Sequence, residues 1–119
     1  MPLPSARSEI ARYRADFVRR FNRAASQIDG WHLSSYIRSA AQQAELRKTN
    51  PQAARYSQHV VGLAADIAPD RNPTGPVTSR SRVKAILRRE GFWVLDEGNH
   101  VHSQRLPAED YLRLIGVRA

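Results

Sequence analysis

Three of the four histidines in this 119-residue chain fall in two short stretches. One runs Ser57-Gln58-His59-Val60-Val61-Gly62-Leu63-Ala64-Ala65-Asp66, the other Asp96-Glu97-Gly98-Asn99-His100-Val101-His102. Imidazoles and carboxylates are what a divalent metal takes when thiolates are absent, and this chain has no cysteine. A few such ligands suit zinc, and a catalytic zinc site keeps one position for water. His100 and His102 are two apart in a strand-like segment, so their side chains leave the same face. His59 and Asp66 are seven apart, which on an uninterrupted strand sends them to opposite faces. Gly62 offers the bend or bulge that brings them back together. His32 stands outside both stretches and reads as a surface or internally satisfied histidine.

For this chemistry the two stretches have to meet across a sheet. Residues 6 to 28 read as an amphipathic helix with an apolar stripe of Ile10, Phe17, Phe21 and Ile28, filled in by Ala24 and Ala25. Ser5 or Ser8 is suited to capping it and Gly30 to ending it. Trp31 to Ile37 suits a strand. Ser39 opens a second helix that runs to about Lys48, before the break at Asn50-Pro51. Residues 55 to 68 look strand-like, interrupted at Gly62. Pro69 to Pro76 is rich in turn signals. Thr78 or Ser79 caps a third helix that ends at Gly91, with Val83, Ile86 and Leu87 facing inward. Phe92 to Leu95 and His100 to Ser103 pair as short strands across the turn Asp96-Glu97-Gly98-Asn99. Pro107 starts a last helix carrying Tyr111, Leu112 and Ile115. The expected class is α+β, a small antiparallel sheet carrying the metal site and packed with about four helices.

The length suits a single domain: an N-terminal helix over 1–29, a metal-site core over 30–104 and a C-terminal helix over 105–119. Apolar residues make up 41% of the chain and charged ones 25%, a composition that excludes wholesale disorder. The formal charge of +8 comes almost entirely from arginine, with 17 Arg and 2 Lys among the 19 basic residues. Such a surface suits a polyanionic partner, a nucleic acid or an anionic envelope, or serves solubility alone. The arginines are spread along the chain and no aromatic-basic recognition motif is present, so no nucleic-acid partner is expected. No run approaches the ~20 apolar residues of a membrane span. The start Met1-Pro2-Leu3-Pro4-Ser5 has no secretory h-region.

The pattern Ser57-x-His59-x-x-Gly62-x-Ala64-x-Asp66, followed some thirty residues later by an acidic and histidine cluster, resembles the D-Ala-D-Ala metallopeptidases. These share a fold with lysostaphin-type peptidases and the hedgehog signalling domain. Upstream, Ser35-Tyr36-Ile37-Arg38-Ser39 with Gln42 and Gln43 resembles the family's arginine-bearing segment. The resemblance covers roughly residues 30 to 104. It implies a zinc held by His59, Asp66 and one histidine of the second cluster. Two frames fit. In the His-x-His frame His102 is the ligand, with His100 and Glu97 handling protons; in the Glu-x-x-His frame His100 is the ligand and Glu97 the sole base.

The resemblance also implies that Arg38 stabilises charge on the scissile carbonyl, although Arg38 also reads as one more surface arginine. Ser57 and Gln43 are candidates to bind the peptide, and Ser57 serves equally to hold the turn before His59. The implied substrate is the stem peptide of bacterial peptidoglycan, cut by a D,D-carboxypeptidase or endopeptidase activity at a terminal D-Ala, a cross-link or an L-Ala-D-Glu bond, and a monomer is expected. Small size with no signal peptide or wall-binding segment resembles phage-encoded lytic or virion-associated peptidases, made in the host cytoplasm and acting at the wall, with a short bacterial wall enzyme as the alternative. The alternative is a non-catalytic zinc-containing module of the same fold, for which Glu97 and His100 would be dispensable.

Overall fold

A computed structural model describes residues 4–49 and 56–117, with side chains from residue 7 onward. The architecture is α+β. In chain order it runs α1 (Pro4–Ala25), β1 (Trp31–Ser35), α2 (Ala40–Thr49), a 3-10 turn η1 (Gln58–Val61), β2 (Ala64–Pro69), α3 (Arg80–Arg89), β3 (Trp93–Asp96), β4 (Val101–Gln104) and α4 (Ala108–Leu114). The four strands form one antiparallel sheet in the order β1-β2-β4-β3. No described helix is long and apolar enough to cross a membrane.

The register sorts the strands into two faces. Ala65 lies opposite Ser103, and Ser103 opposite Val94. Together with Ile67 and Val101 these residues look toward α1 and α3. There Phe17, Ala24, Val83, Ile86, Leu87 and Phe92 complete the main core. Burying each large apolar side chain contributes about 1.5–3 kcal/mol, which makes this face the chief source of cohesion. The alternate residues face the other way: Asp66 opposite His102 opposite Leu95, and Ala64 opposite Gln104 opposite Trp93. A smaller cluster of Leu63, Leu106 and Tyr111 seals α4 against the end of β2.

Several expectations from sequence are shifted. Helix α1 begins at Pro4, so Ser5 and Ser8 lie inside it rather than at its cap, and it ends at Ala25, well short of Gly30. Ile10, Phe17 and Ala24 are buried as the stripe requires, while Ala25 is exposed and Ile28 packs from beyond the helix. Strand β1 stops at Ser35, and Ile37 is exposed. Ser79, not Thr78, caps α3 by accepting the Arg82 N–H, whereas the Thr78 hydroxyl accepts the Asp29 N–H. Pro107 is the N-cap residue of α4 rather than its first helical residue. The Asn50-Pro51 break lies outside the described residues.

The largest difference is at residues 55 to 68, read as one interrupted strand. Gln58–Val61 is instead a 3-10 turn and only Ala64–Pro69 is strand. Ser57 caps the turn, its Oγ accepting the His59 N–H at 3.2 Å. Gly62 closes it in the left-handed region at φ 74°. A Cβ on Gly62 would stand 3.1 Å from both the Tyr36 hydroxyl and the Arg14 Nε, so that position needs glycine for conformation and for space.

Candidate metal centre

The turn solves the parity problem that the seven-residue spacing posed. By coiling four residues before β2 begins, η1 returns His59 to the side of the sheet that Asp66 faces. His59 Nε2 is 3.2 Å from Asp66 Oδ1. From the next strand His102 Nδ1 reaches the same oxygen at 2.8 Å, as expected of residues opposite each other in the ladder. The two imidazole centroids are 5.1 Å apart, and all three residues are buried.

The second nitrogens of both rings have partners that can only accept. His59 Nδ1 is 2.7 Å from the Tyr36 carbonyl, and His102 Nε2 is 2.7 Å from Gln104 Oε1. With a cation at the inner nitrogens, the proton of each neutral ring sits on the outer nitrogen and the inner one presents a lone pair. Three lone-pair donors, His59 Nε2, Asp66 Oδ1 and His102 Nδ1, then converge within 4.8 Å of one another. Such a grouping is repulsive unless added protons or a cation sits among them. Tetrahedral bonds of about 2.0–2.1 Å place neighbouring ligand atoms about 3.3 Å apart, close to the separations seen here. The residues present fit a zinc ion.

Without a metal, the cluster holds itself together by charge. Burial alone would raise the Asp66 carboxyl, but hydrogen bonds and charge from His102 and His59 outweigh it and hold the group far below the usual carboxylate range. Burial pulls His102 down, yet Asp66, Gln104 and Glu97 raise it above an ordinary histidine. Both shifts are those of a site built for a positive charge.

His100 lies just outside β4, in the turn rather than on the strand, but it reaches the same place. Its Nε2 is 3.6 Å from Asp66 Oδ2 and 3.5 Å from Glu97 Oε2, and its Nδ1 is 2.6 Å from Asn99 Oδ1. Asp66, Glu97 and His100 thus make a second group of ligand-type atoms sharing Asp66. The Arg38 guanidinium already lies 3.3 Å from Asp66 Oδ2, leaving little electrostatic reason for a second cation there. Glu97 is exposed at the cleft lip, while its neighbour Asp96 anchors the hairpin. Asp96 accepts the Gly98 N–H and pairs with Lys84 and Arg80 of α3, which together keep its carboxyl lowered.

Arg38 is held in place rather than loose on the surface: Nη1 donates to Gln43 Oε1 at 2.7 Å, and its main-chain N–H donates to the His59 carbonyl. Gln43 lines the cleft, but it is buried with its oxygen engaged by Arg38. Its oxygen supports the arginine. Ser57 is likewise buried and occupied with the turn. His32 lies on the surface, 2.8 Å from Asp70. Two residues that sequence reasoning passed over belong to the site, Gln104 beside His102 and Gln58 beside His59. The available signal was position: Gln104 lies two residues beyond His102 and so shares its face of β4.

Arg38, Gln43, Ser57, Gln58 and Gln104 line one cleft of about 460 Å³, floored by His59, Asp66 and His102 and lipped by Glu97, His100 and Leu95. No protein-family model matches the chain, and neither does any curated protein. Among solved structures, the chain is similar to the crystal structure of the Serratia marcescens L-Ala D-Glu endopeptidase ChiX, with a TM-score of 0.56 and 24% identity over 82% of each chain. At that identity the likeness bears on the fold.

Proposed function

We propose that this protein is a zinc-dependent peptidase acting on the stem peptides of bacterial peptidoglycan. The observation that carries the reading is the convergence of His59, Asp66 and His102 on the floor of an open cleft, with Glu97 and His100 at its lip. The geometry favours the His-x-His frame, because His102 is buried against Asp66 Oδ1 while His100 sits outside, next to Glu97. The resemblance in the first motif and the fold shared with the Serratia endopeptidase both support the substrate class.

When bound, a zinc ion supplies Lewis acidity to an attacking water and to the scissile carbonyl. The remaining work falls to the chain. Glu97 takes the proton from the water through a carboxylate oxygen, and His100 Nε2, 3.5 Å away, shares in holding it. The same pair returns it to the leaving amine. Arg38, fixed by Gln43 and Asp66, turns its guanidinium toward the charge that develops on the carbonyl oxygen; a fixed donor stabilises that transition state more than the ground state. Exposed Leu95 and Trp93 offer an apolar wall on the same face of the sheet for the peptide to lie along. The net positive charge draws the protein to an anionic envelope.

Digestion of purified peptidoglycan, read by mass spectrometry of the released fragments, tests the proposal. The L-Ala–D-Glu bond, named for the similar Serratia protein, is the first to look for and D-Ala–D-Ala the second. Release of neither, by protein carrying one zinc per chain, would sink the peptidase reading.

A further inference from the structure

Gln58 and Gln104 come from different segments yet both donate to the main-chain carbonyl of Leu106. Gln58 Nε2 donates to the Leu106 carbonyl at 2.7 Å, and its Oε1 accepts the Leu106 N–H at 3.1 Å. Gln104 Nε2 donates to that carbonyl too, at 2.9 Å. A carbonyl accepts only, so the Gln104 amide has its orientation fixed, with Oε1 turned toward His102 Nε2 at 2.7 Å. His59 obtains the equivalent service from a main-chain carbonyl, that of Tyr36. His102 depends on a side chain.

We propose that Gln104, held by the Leu106 peptide that Gln58 clamps, is a positioning residue that fixes the tautomer and ring angle of His102 and so sets the metal affinity of the site. The inference rests on reading His59, Asp66 and His102 as a metal centre. Its physical basis is a competition between two tautomers. With Gln104 accepting from Nε2, the neutral His102 ring presents its Nδ1 lone pair to the cluster. Without that acceptor, the proton moves to Nδ1, where the Asp66 oxygen 2.8 Å away receives it. That tautomer satisfies Asp66 and blocks the nitrogen a metal needs. Supporting partners of ligating histidines are worth about 10–100-fold in metal affinity. The clamp also ties the segment bearing His59 to the one following His102, so both histidines are held from a common point.

The test uses the full chain and zinc alone, with affinity measured by competition against a chelator. Gln104→Leu should weaken zinc binding about 10–100-fold, and Gln58→Leu, which loosens the clamp but leaves Gln104 able to accept from His102, should weaken it less. In the zinc-loaded protein, the His102 Nε2–H proton should be visible by NMR in slow exchange in wild type and lost in Gln104→Leu. A packing role alone would lower the melting temperature of both variants and leave the affinity of the folded protein unchanged. Equal affinity in wild type and Gln104→Leu, or a Gln58→Leu variant weaker than Gln104→Leu, overturns the proposal. If the leucine variant does not fold, Gln104→Met supplies the same contrast. A wild-type chain that binds no zinc overturns the metal centre itself, whereas zinc binding indifferent to Gln104 overturns only this role.

Discussion

Strands β2 and β4 present two faces built on one backbone, and consecutive residues serve opposite ends. Ala65, Ile67, Val101 and Ser103 look into the packing of α1 and α3. Their neighbours Asp66 and His102 look the other way, into the cleft. The first face gains from excluding water. The second gathers three lone-pair donors, one of them the depressed Asp66 carboxyl, which repel one another until protons or a metal ion supply positive charge. Placing that cluster directly behind the best-packed part of the molecule lets the fold hold it in position. Substitutions on the cleft face should therefore remove binding and chemistry while the chain stays folded, and substitutions on the core face should do the reverse.

The largest effect is expected for Asp66→Asn or His59→Ala. Each should drop zinc from one per chain to none and take peptidoglycan cleavage to background, while circular dichroism still reports a folded protein. Retained zinc in either variant would break the comparison. Next comes Glu97→Gln, expected to slow cleavage about 10²–10⁴-fold with zinc retained. Undiminished turnover would remove Glu97 from proton transfer, whereas a wild type that binds zinc but cleaves nothing would favour the non-catalytic alternative.

On the opposite face, Leu87→Ala should cost about 2–5 kcal/mol in denaturant unfolding and leave the zinc affinity of the folded fraction unchanged. A parallel loss of affinity would mean that the two faces are not separable. The smallest effect is that of pH on the metal-free protein. The fold raises His102, so its contribution is complete below its unfolded value near 6.5 and is lost as pH climbs through the raised value. The fold lowers Asp66, so its contribution is present above about pH 4 and is lost only as pH falls through the depressed value. The stability margin of wild type over Asp66→Asn should therefore be greatest between about pH 4 and 6.5 and shrink toward pH 9. With zinc present, wild-type melting should instead improve over that alkaline range, because protons and metal compete for the same nitrogens. A metal-free margin that widens toward pH 9 contradicts this account.

The legibility of these two faces in the sequence was uneven. Core residues such as Phe17, Val83, Ile86 and Leu87 were readable because helix periodicity is a long-range signal that several residues carry at once. His59, Asp66 and His102 were readable because their side chains are ligand types in a specific pattern. The 3-10 turn at Gln58–Val61 was not, since four residues give no periodicity, and Val60-Val61 imitates a strand. Gln58 and Gln104 were missed, and the tie of Gln43 to Arg38 went unread, because a neutral amide has the same appearance in sequence whether it faces solvent or supports a buried group. Their roles are set by partners 5 residues away for Gln43, 48 for Gln58, and 2 for Gln104. The preference for His102 over His100 in the proposed site draws on the ladder, which sets His102 opposite Asp66 and leaves His100 in the turn.

Tyr36 touches both ends of the arrangement. Its carbonyl receives the His59 ring proton, its hydroxyl donates to the Gly62 carbonyl, and its ring lies 6.0 Å from that of Phe17 on α1. From the same helix, Arg14 Nε donates to the Val61 carbonyl at 2.8 Å. The first helix contributes no candidate ligand, yet it buttresses the loop from which His59 projects. Trimming the chain to the segment between Gly30 and Gln104 would preserve every motif residue while removing the wall they lean on. The smallest working unit of this molecule is therefore larger than its motif.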